Sequence, residues 1–533
     1  MKRNVIYCKR YMLWYMLCFF ALGIIDQRRG SAQGTVQMAA ANCVGLVIAG
    51  MLLPSLEWKK FKDKIYIIWT VIALLGGIAA GIWGWQNWIY KGQWVTGVLN
   101  VMVWGYLVIY MLREWRMLPA ARRLRQPFFW CIGLLFLAML LSVHGRILPL
   151  WMLVIFGGFY FIGISEARRT DFSLGLLNGF ILWFFVQQIL AFGFRPYDYV
   201  RYRGMYAGET QNGIFYMIVY CALLCKWIWL KENGARRIVV WLNFLLAASV
   251  ISFLLFTGGR SSLMGAATAT LFIFVIYDIV KKKSFYKWVM HAALLGVCVV
   301  LSFPVVYCAI RYFPVILHHP IWFASNYSDE SSVRSFDPWD STRYISFEEA
   351  VDVNIGRILK LLGIDIGQWW PNEASNALML RVHAAEMTEP GSSPENPYLP
   401  SDFNIKDAVA VRKAIYTYYW QHLNFRGHRS EEAAFYFLSD VVFAHAHNIL
   451  LQMAYDYGII AGILFLGIYL YSLVRLVRRA CRMPSDGSWC WLAFAAAVFF
   501  YSMTEVSVVP GMITWVLLYL SFNFGGEDAV MIR

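Results

Sequence analysis

The sequence predicts an all-α polytopic membrane protein with about 12–14 transmembrane helices and one large extracytoplasmic loop. Three observations carry that expectation. Hydrophobic residues make up 59% of the 533 and charged residues only 15%, against 45–50% and about 25% in soluble domains. Apolar runs recur along most of the chain, many of them near the about 20 residues a helix needs to cross a hydrocarbon core. Lys and Arg fall in alternate connecting loops.

Candidate spans are residues 11–25, 35–56, 65–84, 94–112, 127–142, 147–165, 172–194, 212–230, 238–256, 262–280, 286–310, 447–474, 488–504 and 510–525. The first and fifth are short. Residues 1–25 also admit reading as a signal peptide with Lys2, Arg3, Lys9 and Arg10 as its basic region, although no clean small-x-small cleavage site follows. These runs divide the chain into an N-terminal bundle of about 11 spans (1–310), a long polar loop (311–446) and a C-terminal group of about three spans (447–533).

Sidedness follows from the basic residues. Of 47 Lys and Arg, 28 lie at the termini and in one alternating set of loops, 8 in the opposite set of short loops and 11 in the long loop. The alternation has no reversal, which places both termini in the cytoplasm and the long loop outside. The net charge of +15 is therefore mainly an orientation device. The long loop carries 17 acidic residues against its 11 basic ones, so a nucleic-acid partner has no footprint. None of the ten cysteines falls between 311 and 446, so no disulfide framework staples the loop. No Cys/His metal spacing is present.

Within the long loop, 343–362 reads as an amphipathic helix, with Ile345, Phe347, Val351, Ile355, Ile358 and Leu362 near one face. Residues 390–400 contain four prolines and read as a loop. Residues 404–424 read as a second amphipathic helix and 431–446 as a third. A loop of this length in a compact protein is usually functional, and a lid-like subdomain on the outer surface is expected.

Three polar segments fall on the predicted outer side: 201–212, 256–265 and 444–462. Arg260 sits in a short break between two apolar helices, flanked by Gly259 and Ser261. It reads either as a snorkelling turn residue or as an anion clamp. Its planar fork suits phosphate oxygens, and Ser261 and Ser262 open a helix whose N-terminus also favours anions. Arg203 shares a loop with Arg195 and Arg201, an unusual cluster for this side. His447 is expected to begin an apolar helix beside Asn448, where it reads either as a satisfied cap or interface residue or as a base, since a neutral imidazole can accept a proton near pH 7. His445 would diverge from it on a helix, so a shared metal site is not expected. His318 and His319 read as surface residues.

Together these segments resemble the O-antigen ligase and bacterial polysaccharide polymerase superfamily. The resemblance runs over residues 195–525. Arg203-Gly204 through Asn212 matches loosely an arginine loop leading to Asn before a span. Thr257-Gly258-Gly259-Arg260-Ser261-Ser262 matches a turn opening a helix, with Gly259 in place of the usual Ser. Ser341-Thr342-Arg343 matches a Ser-x-Arg in the long loop. His447-Asn448, Asp456, Gly458 and Gly462 match a His-Asn segment followed by an acid and glycine. The first six spans carry no recognised motif.

The resemblance implies a GT-C-like membrane glycosyltransferase in the bacterial plasma membrane. Such an enzyme transfers or polymerises a glycan from undecaprenyl diphosphate onto a glycan, lipid-linked or protein acceptor at the outer face, without cofactor or metal. It implies His447 and Arg260 as catalytic residues. Arg203, Arg260, Arg343, Asn212 and Asn448 are implied to bind diphosphate or substrate. Two rivals remain. A transporter or flippase of lipid-linked oligosaccharide would call for charges deep in the spans and an internal repeat; neither is evident. A peptidoglycan polymerase of the shape and division type has a shorter, ten-span chain.

Overall fold

A computed structural model of the chain describes residues 9–29, 35–87, 89, 91–115, 126–145, 147–195, 197, 201–206, 208–280, 285–317, 345–356, 408–429, 432, 435–438, 441–443, 445–482, 488–505 and 512–526. The described residues are mainly helical: α1 (Lys9–Arg29), α2 (Thr35–Leu52), α3 (Lys64–Asn87), α4 (Lys91–Glu114), α5 (Pro127–Leu141), α6 (Ile147–Ile162), α7 (Arg169–Phe194), α8 (Glu209–Glu232), α9 (Arg237–Phe256), α10 (Arg260–Val280), α11 (Phe285–Ile316), α12 (Phe347–Val351), α13 (Ala408–Gln421), α14 (Ile449–Tyr457), α15 (Ile459–Arg482), α16 (Ser488–Ser502) and α17 (Ile513–Gly526).

Among the described residues nine helices are long and apolar enough to cross a membrane, and four shorter helices are also apolar. At 1.5 Å rise per residue, 18 residues reach about 27 Å. Their surfaces fit hydrocarbon rather than water. On α3, Ile67, Ile68, Val71, Ile72, Leu74, Leu75 and Ile78 are each half exposed or more. Such a face would cost about 25 cal/mol per Å² in water. The architecture is that of a multi-pass membrane protein.

Each expected span has a helix, with one correction. The run 447–474 is two helices, because Gly458 takes φ 95°, a conformation in which other residues are strained. The long span starts at Ile459, and His447 lies in the turn before α14 rather than at the head of the span.

The loop expectations are also revised. The helix anticipated over 431–446 is instead an antiparallel hairpin, Phe435–Leu438 paired with Val441–Phe443. Its aromatic and β-branched residues favour extended backbone over helix. The helix anticipated over 343–362 is short. Ser346 and Glu349 form a reciprocal capping box at its start, and α12 passes at Asp352 into a π turn ending at Gly356. Residues 357–362 and the proline-rich 390–400 lie outside the described residues. The expected helix over 404–424 appears as α13.

The chain divides into two compact units that cut across the linear division expected from hydropathy. One comprises Met1–Phe180 and Asn396–Arg533, the other Ile181–Glu395. Within each unit, loop ends that the charge alternation assigns to the same side meet. In the first, Arg113 pairs with Asp63 at 2.8 Å and Lys60 with Glu114, all predicted inner residues. Its predicted outer ends join through Ile513 N donating to Asp26 Oδ1 at 3.1 Å and Val143 N to the Arg426 carbonyl at 3.0 Å. In the second unit, the Tyr277 hydroxyl donates to Glu232 at 2.7 Å on the predicted inner side. On the predicted outer side Tyr197 N reaches the Ile310 carbonyl at 2.9 Å, and the Tyr307 hydroxyl the Ile345 carbonyl at 2.7 Å. In that unit α8 is the central helix, buried almost continuously from Asn212 to Cys225.

Candidate active site

The arginine loop and the Arg260 turn both belong to the second unit. Tyr202 N donates to the Phe256 carbonyl at 2.8 Å, so residues 201–206 lie against the turn 257–259. Gly204 and Gly258 take φ 54° and 61°, which lets the two backbones turn tightly. A Cβ on Gly258 would stand 3.1 Å from Arg201 Nε. The arginines divide by role. Arg195, buried, donates through Nε to the Gly204 carbonyl at 2.9 Å. Arg201 Nε donates to the Thr257 carbonyl at 2.9 Å and an Nη to Glu209 Oε1 at 3.2 Å. The other oxygen of Glu209 faces Arg203 Nε at 3.3 Å. Glu209, the first residue of α8, is well placed there because a helix N-terminus stabilises an anion.

Arg260 has the opposite setting. It is the first residue of α10, exposed, and has no ion-pair or hydrogen-bond partner among the described residues. A cation at a helix N-terminus is electrostatically unfavourable, and α10 has no acidic residue in its first turn. In segments 201–212 and 256–265, Arg201, Arg203 and Arg260 stand against Glu209 as the one carboxylate. Such a surface attracts anions. Asn212 is fully buried and donates to the Tyr202 carbonyl at 3.4 Å. It shapes the loop from beneath, close to Gly204, rather than presenting its amide to a ligand. Arg343 lies outside the described residues, as do His318 and His319.

The His447 turn belongs to the first unit. His447 takes φ 49°, the one non-glycine residue with positive φ among the described residues. Strain of this kind persists where surrounding contacts hold it, and the contacts are present. Asn448 caps α14, its Oδ1 accepting from Leu450 N and Leu451 N at 3.0 and 3.1 Å, and its amide donates to the Met503 carbonyl at 3.3 Å. Gln452 Oε1 accepts from Ala446 N at 2.7 Å. The Tyr416 hydroxyl donates to the His447 carbonyl at 3.3 Å. Asn448 is thus a structural cap here.

His447 Nδ1 lies 3.1 Å from Glu505 Oε2, and Glu505 Oε1 takes Arg412 at 3.0 Å. A second Arg412 nitrogen donates to the Thr504 carbonyl. Burial alone would raise the Glu505 carboxyl, but the His447 hydrogen bond and charge, with Arg412 beside them, outweigh it and hold the group below its ordinary value. An ionised carboxylate accepts, so it selects the Nδ1–H tautomer of a neutral imidazole and puts the basic lone pair on Nε2. His445 does not diverge from His447. The rings are perpendicular with centroids 4.3 Å apart. Burial, then the neighbouring His447, lowers the His445 pKa and keeps it neutral.

Asp456, Gly458 and Gly462 build the break behind this turn. Gln452 bridges the two, its amide donating to Asp456 Oδ1 at 2.8 Å. Burial raises the Asp456 carboxyl despite His144 at 3.8 Å. A Cβ on Gly458 would collide with the Phe425 carbonyl, and one on Gly462 would come within 2.7 Å of the Ala454 Cβ. Among the described residues no three His, Cys, Asp or Glu are grouped as a metal site.

Sequence reasoning overlooked Glu505, Arg412, Glu209 and Gln452. Glu505 had a usable signal. It is the lone acidic residue between 488 and 526, and an ionisable group at the end of a span is a functional candidate by default. Arg412 had none, being one of eleven basic residues in the loop. The chain matches no family model, no curated protein and no solved structure.

Proposed function

We propose that the chain is a bacterial plasma-membrane glycosyltransferase of the O-antigen ligase and polymerase type, GT-C-like in plan, with both termini cytoplasmic. It moves a glycan from undecaprenyl diphosphate to an acceptor hydroxyl at the outer face. The observation that carries the reading is the His447–Glu505–Arg412 arrangement: a strained histidine whose Nδ1 faces a carboxylate held ionised by the histidine and by an arginine. That is the equipment of a general base.

In the proposed step the acceptor O–H proton passes to His447 Nε2 while the acceptor oxygen bonds to the anomeric carbon from the face opposite the leaving group. The bond from that carbon to the diphosphate oxygen breaks, and its electron pair leaves with the diphosphate. The family resemblance assigns the support of that developing charge to arginines, and Arg260, exposed at the start of α10, is the candidate. His447 then returns its proton to solvent. No redox partner enters, and the arginines take the part a metal plays in other phosphate chemistry.

Purified protein given lipid-linked donor and acceptor tests this. Transfer should persist in chelator and be lost in His447→Ala with donor still bound. Loss of donor binding in that variant, with an unchanged chemical step, would make the histidine a phosphate contact and sink its role as base. Sidedness has its own test. Single cysteines at Ser331 and Ser393 should react with an impermeant maleimide in intact cells, and one at Ser284 should not; the reverse pattern overturns the location.

A further inference from the structure

The end of α13 and the turn that follows it expose two large aromatic rings beside two arginines. Trp420 and Phe425 are 70% and 73% exposed, and Arg426 and Arg429 are exposed beside them. Large aromatics in water at that exposure forgo about 1.5–3 kcal/mol each. Neither ring is left out by accident of a loose segment, because the backbone between them is fixed. The Asn424 carbonyl accepts from Ile459 N at 3.0 Å, the Arg426 carbonyl from Val143 N at 3.0 Å, and the Asn424 side chain from Arg426 N at 2.8 Å. Gly427, at φ 74°, packs directly on the Asp456 carbonyl.

Those bonds fix the height of the turn. Ile459 is the first residue of the α15 span, and Val143 lies two residues beyond the end of α5. The apolar outer faces of both helices run up to this level. On α5, Trp130, Leu134, Leu137 and Leu141 form one exposed stripe at helical spacing. On α15, Ile460, Ile463, Leu470 and Val474 are similarly exposed. Phe425 is therefore tied by its neighbours to the rim where lipid-facing surface ends. Aromatic rings with adjoining arginines at that rim match the chemistry of the bilayer interface, rings at the acyl boundary and cations among the phosphates.

We propose that residues 420–429 form an interfacial foot that docks on the phospholipid headgroups of the membrane the spans cross. Phe425 and Trp420 enter the acyl boundary, and Arg426 and Arg429 contact lipid phosphate. The foot anchors α13, the helix that carries Arg412. The charge of the arginines and the continuity of the rings with the lipid-facing stripes favour lipid over a protein partner. The inference depends on the membrane architecture and not on the catalytic reading.

The test uses the full chain in nanodiscs, with the photoreactive p-benzoylphenylalanine placed singly at Phe425, Trp420, Lys413 or Leu137. Phe425 and Trp420 are exposed, so an aromatic replacement leaves packing intact. Lys413 is exposed on α13 two turns before Trp420, about 10 Å away, and tests whether the contact is confined to the end of the helix. Leu137 reports the lipid-facing stripe. Mass spectrometry should find phospholipid adducts at 137, 425 and 420 and none at 413. Arg426→Ala with Arg429→Ala should cut the 425 adduct on anionic lipid by about fivefold or more per charge. Adducts at 137 with none at 425 overturn the foot. A protein adduct at 425 in membranes replaces it with a partner surface. No adduct at 137 overturns the lipid-facing assignment and the foot together.

Discussion

The arginine loop and the His447 turn solve different problems with similar residues. In the arginine loop, backbone carbonyls of the loop and of the turn packed against it, with Glu209, consume most of the charge. Arg195 holds the Gly204 carbonyl nine residues away, and Arg201 grips both the Thr257 carbonyl and Glu209. Two of the arginines therefore build the loop, and Arg260 remains presented. In the His447 turn nothing charged is spent on local backbone within the turn. Its charged partners come from other segments, Glu505 at 58 residues and Arg412 at 35. The arginines of the loop are thus largely scaffold, Arg260 at the start of α10 is exposed, and an isolated histidine is the centre of a tertiary arrangement.

The largest test of that contrast separates stability from turnover. Arg260→Ala should abolish transfer while leaving the unfolding midpoint unchanged, since no described contact depends on it, and Arg260→Lys should recover little because a point charge lacks the bidentate fork. Arg201→Ala should do the reverse. It should lower stability by about 1.5–3 kcal/mol, the range for hydrogen bonds to a charged group, and reduce activity only through the folded fraction. Thermal unfolding and transfer measured on the same preparations decide it. Equal stability losses in both variants would erase the division between scaffold and presented arginine. His447→Ala should lower turnover by about 10²- to 10⁴-fold without moving donor binding.

Glu505 sharpens the other half. Glu505→Gln keeps the shape but removes the charge that selects the Nδ1–H tautomer, and a loss of about 10²-fold or more in turnover is expected. The pH dependence carries a defined sign. The folded carboxyl lies below its ordinary 4.5. Its contribution to stability is therefore complete above the unfolded value and is lost as pH falls through the lower folded one. Wild-type protein should lose unfolding midpoint more steeply than Glu505→Gln on acidification below about pH 4.5. Parallel curves for the two proteins would mean that Glu505 is not held ionised by His447 and Arg412.

How much was legible follows the same division. Spans such as Arg237–Phe256 announced themselves, because sixteen apolar residues in a stretch of twenty are a local signal. Arg260 and His447 were legible as single residues, each in a short polar break. The partition of roles among Arg195, Arg201 and Arg203 was not, because it depends on which carbonyl each fork reaches. Arg412 could not be singled out from ten other cations. His447 directly precedes the Asn448 cap of α14, so its place at a helix start was legible, but the division of the run into two helices was not. Only the φ of Gly458 divides it. The 435–443 hairpin was missed because a three- to four-residue strand leaves too short a pattern to separate from helix.

The smallest expected effect concerns His445. On a helix it would point away from His447 and be nearly silent, but the turn stacks the two rings edge to face at 4.3 Å. Ring pairs of this kind contribute about 0.5–1.5 kcal/mol, so His445→Ala should lower turnover by about three- to tenfold by loosening the orientation of His447. His445 is kept neutral by its burial and by His447, and it supports the base as a ring rather than as an acid or a second base. His445→Phe keeps the ring and should return turnover to within about threefold of wild type, with the same pH profile. If His445→Phe is as impaired as His445→Ala, the imidazole itself is required and 445 joins the proton path. If His445→Ala is silent, the contact between the rings does nothing for His447, and the strain at 447 is held by its other contacts, Asn448, Gln452, Tyr416 and Glu505 among them.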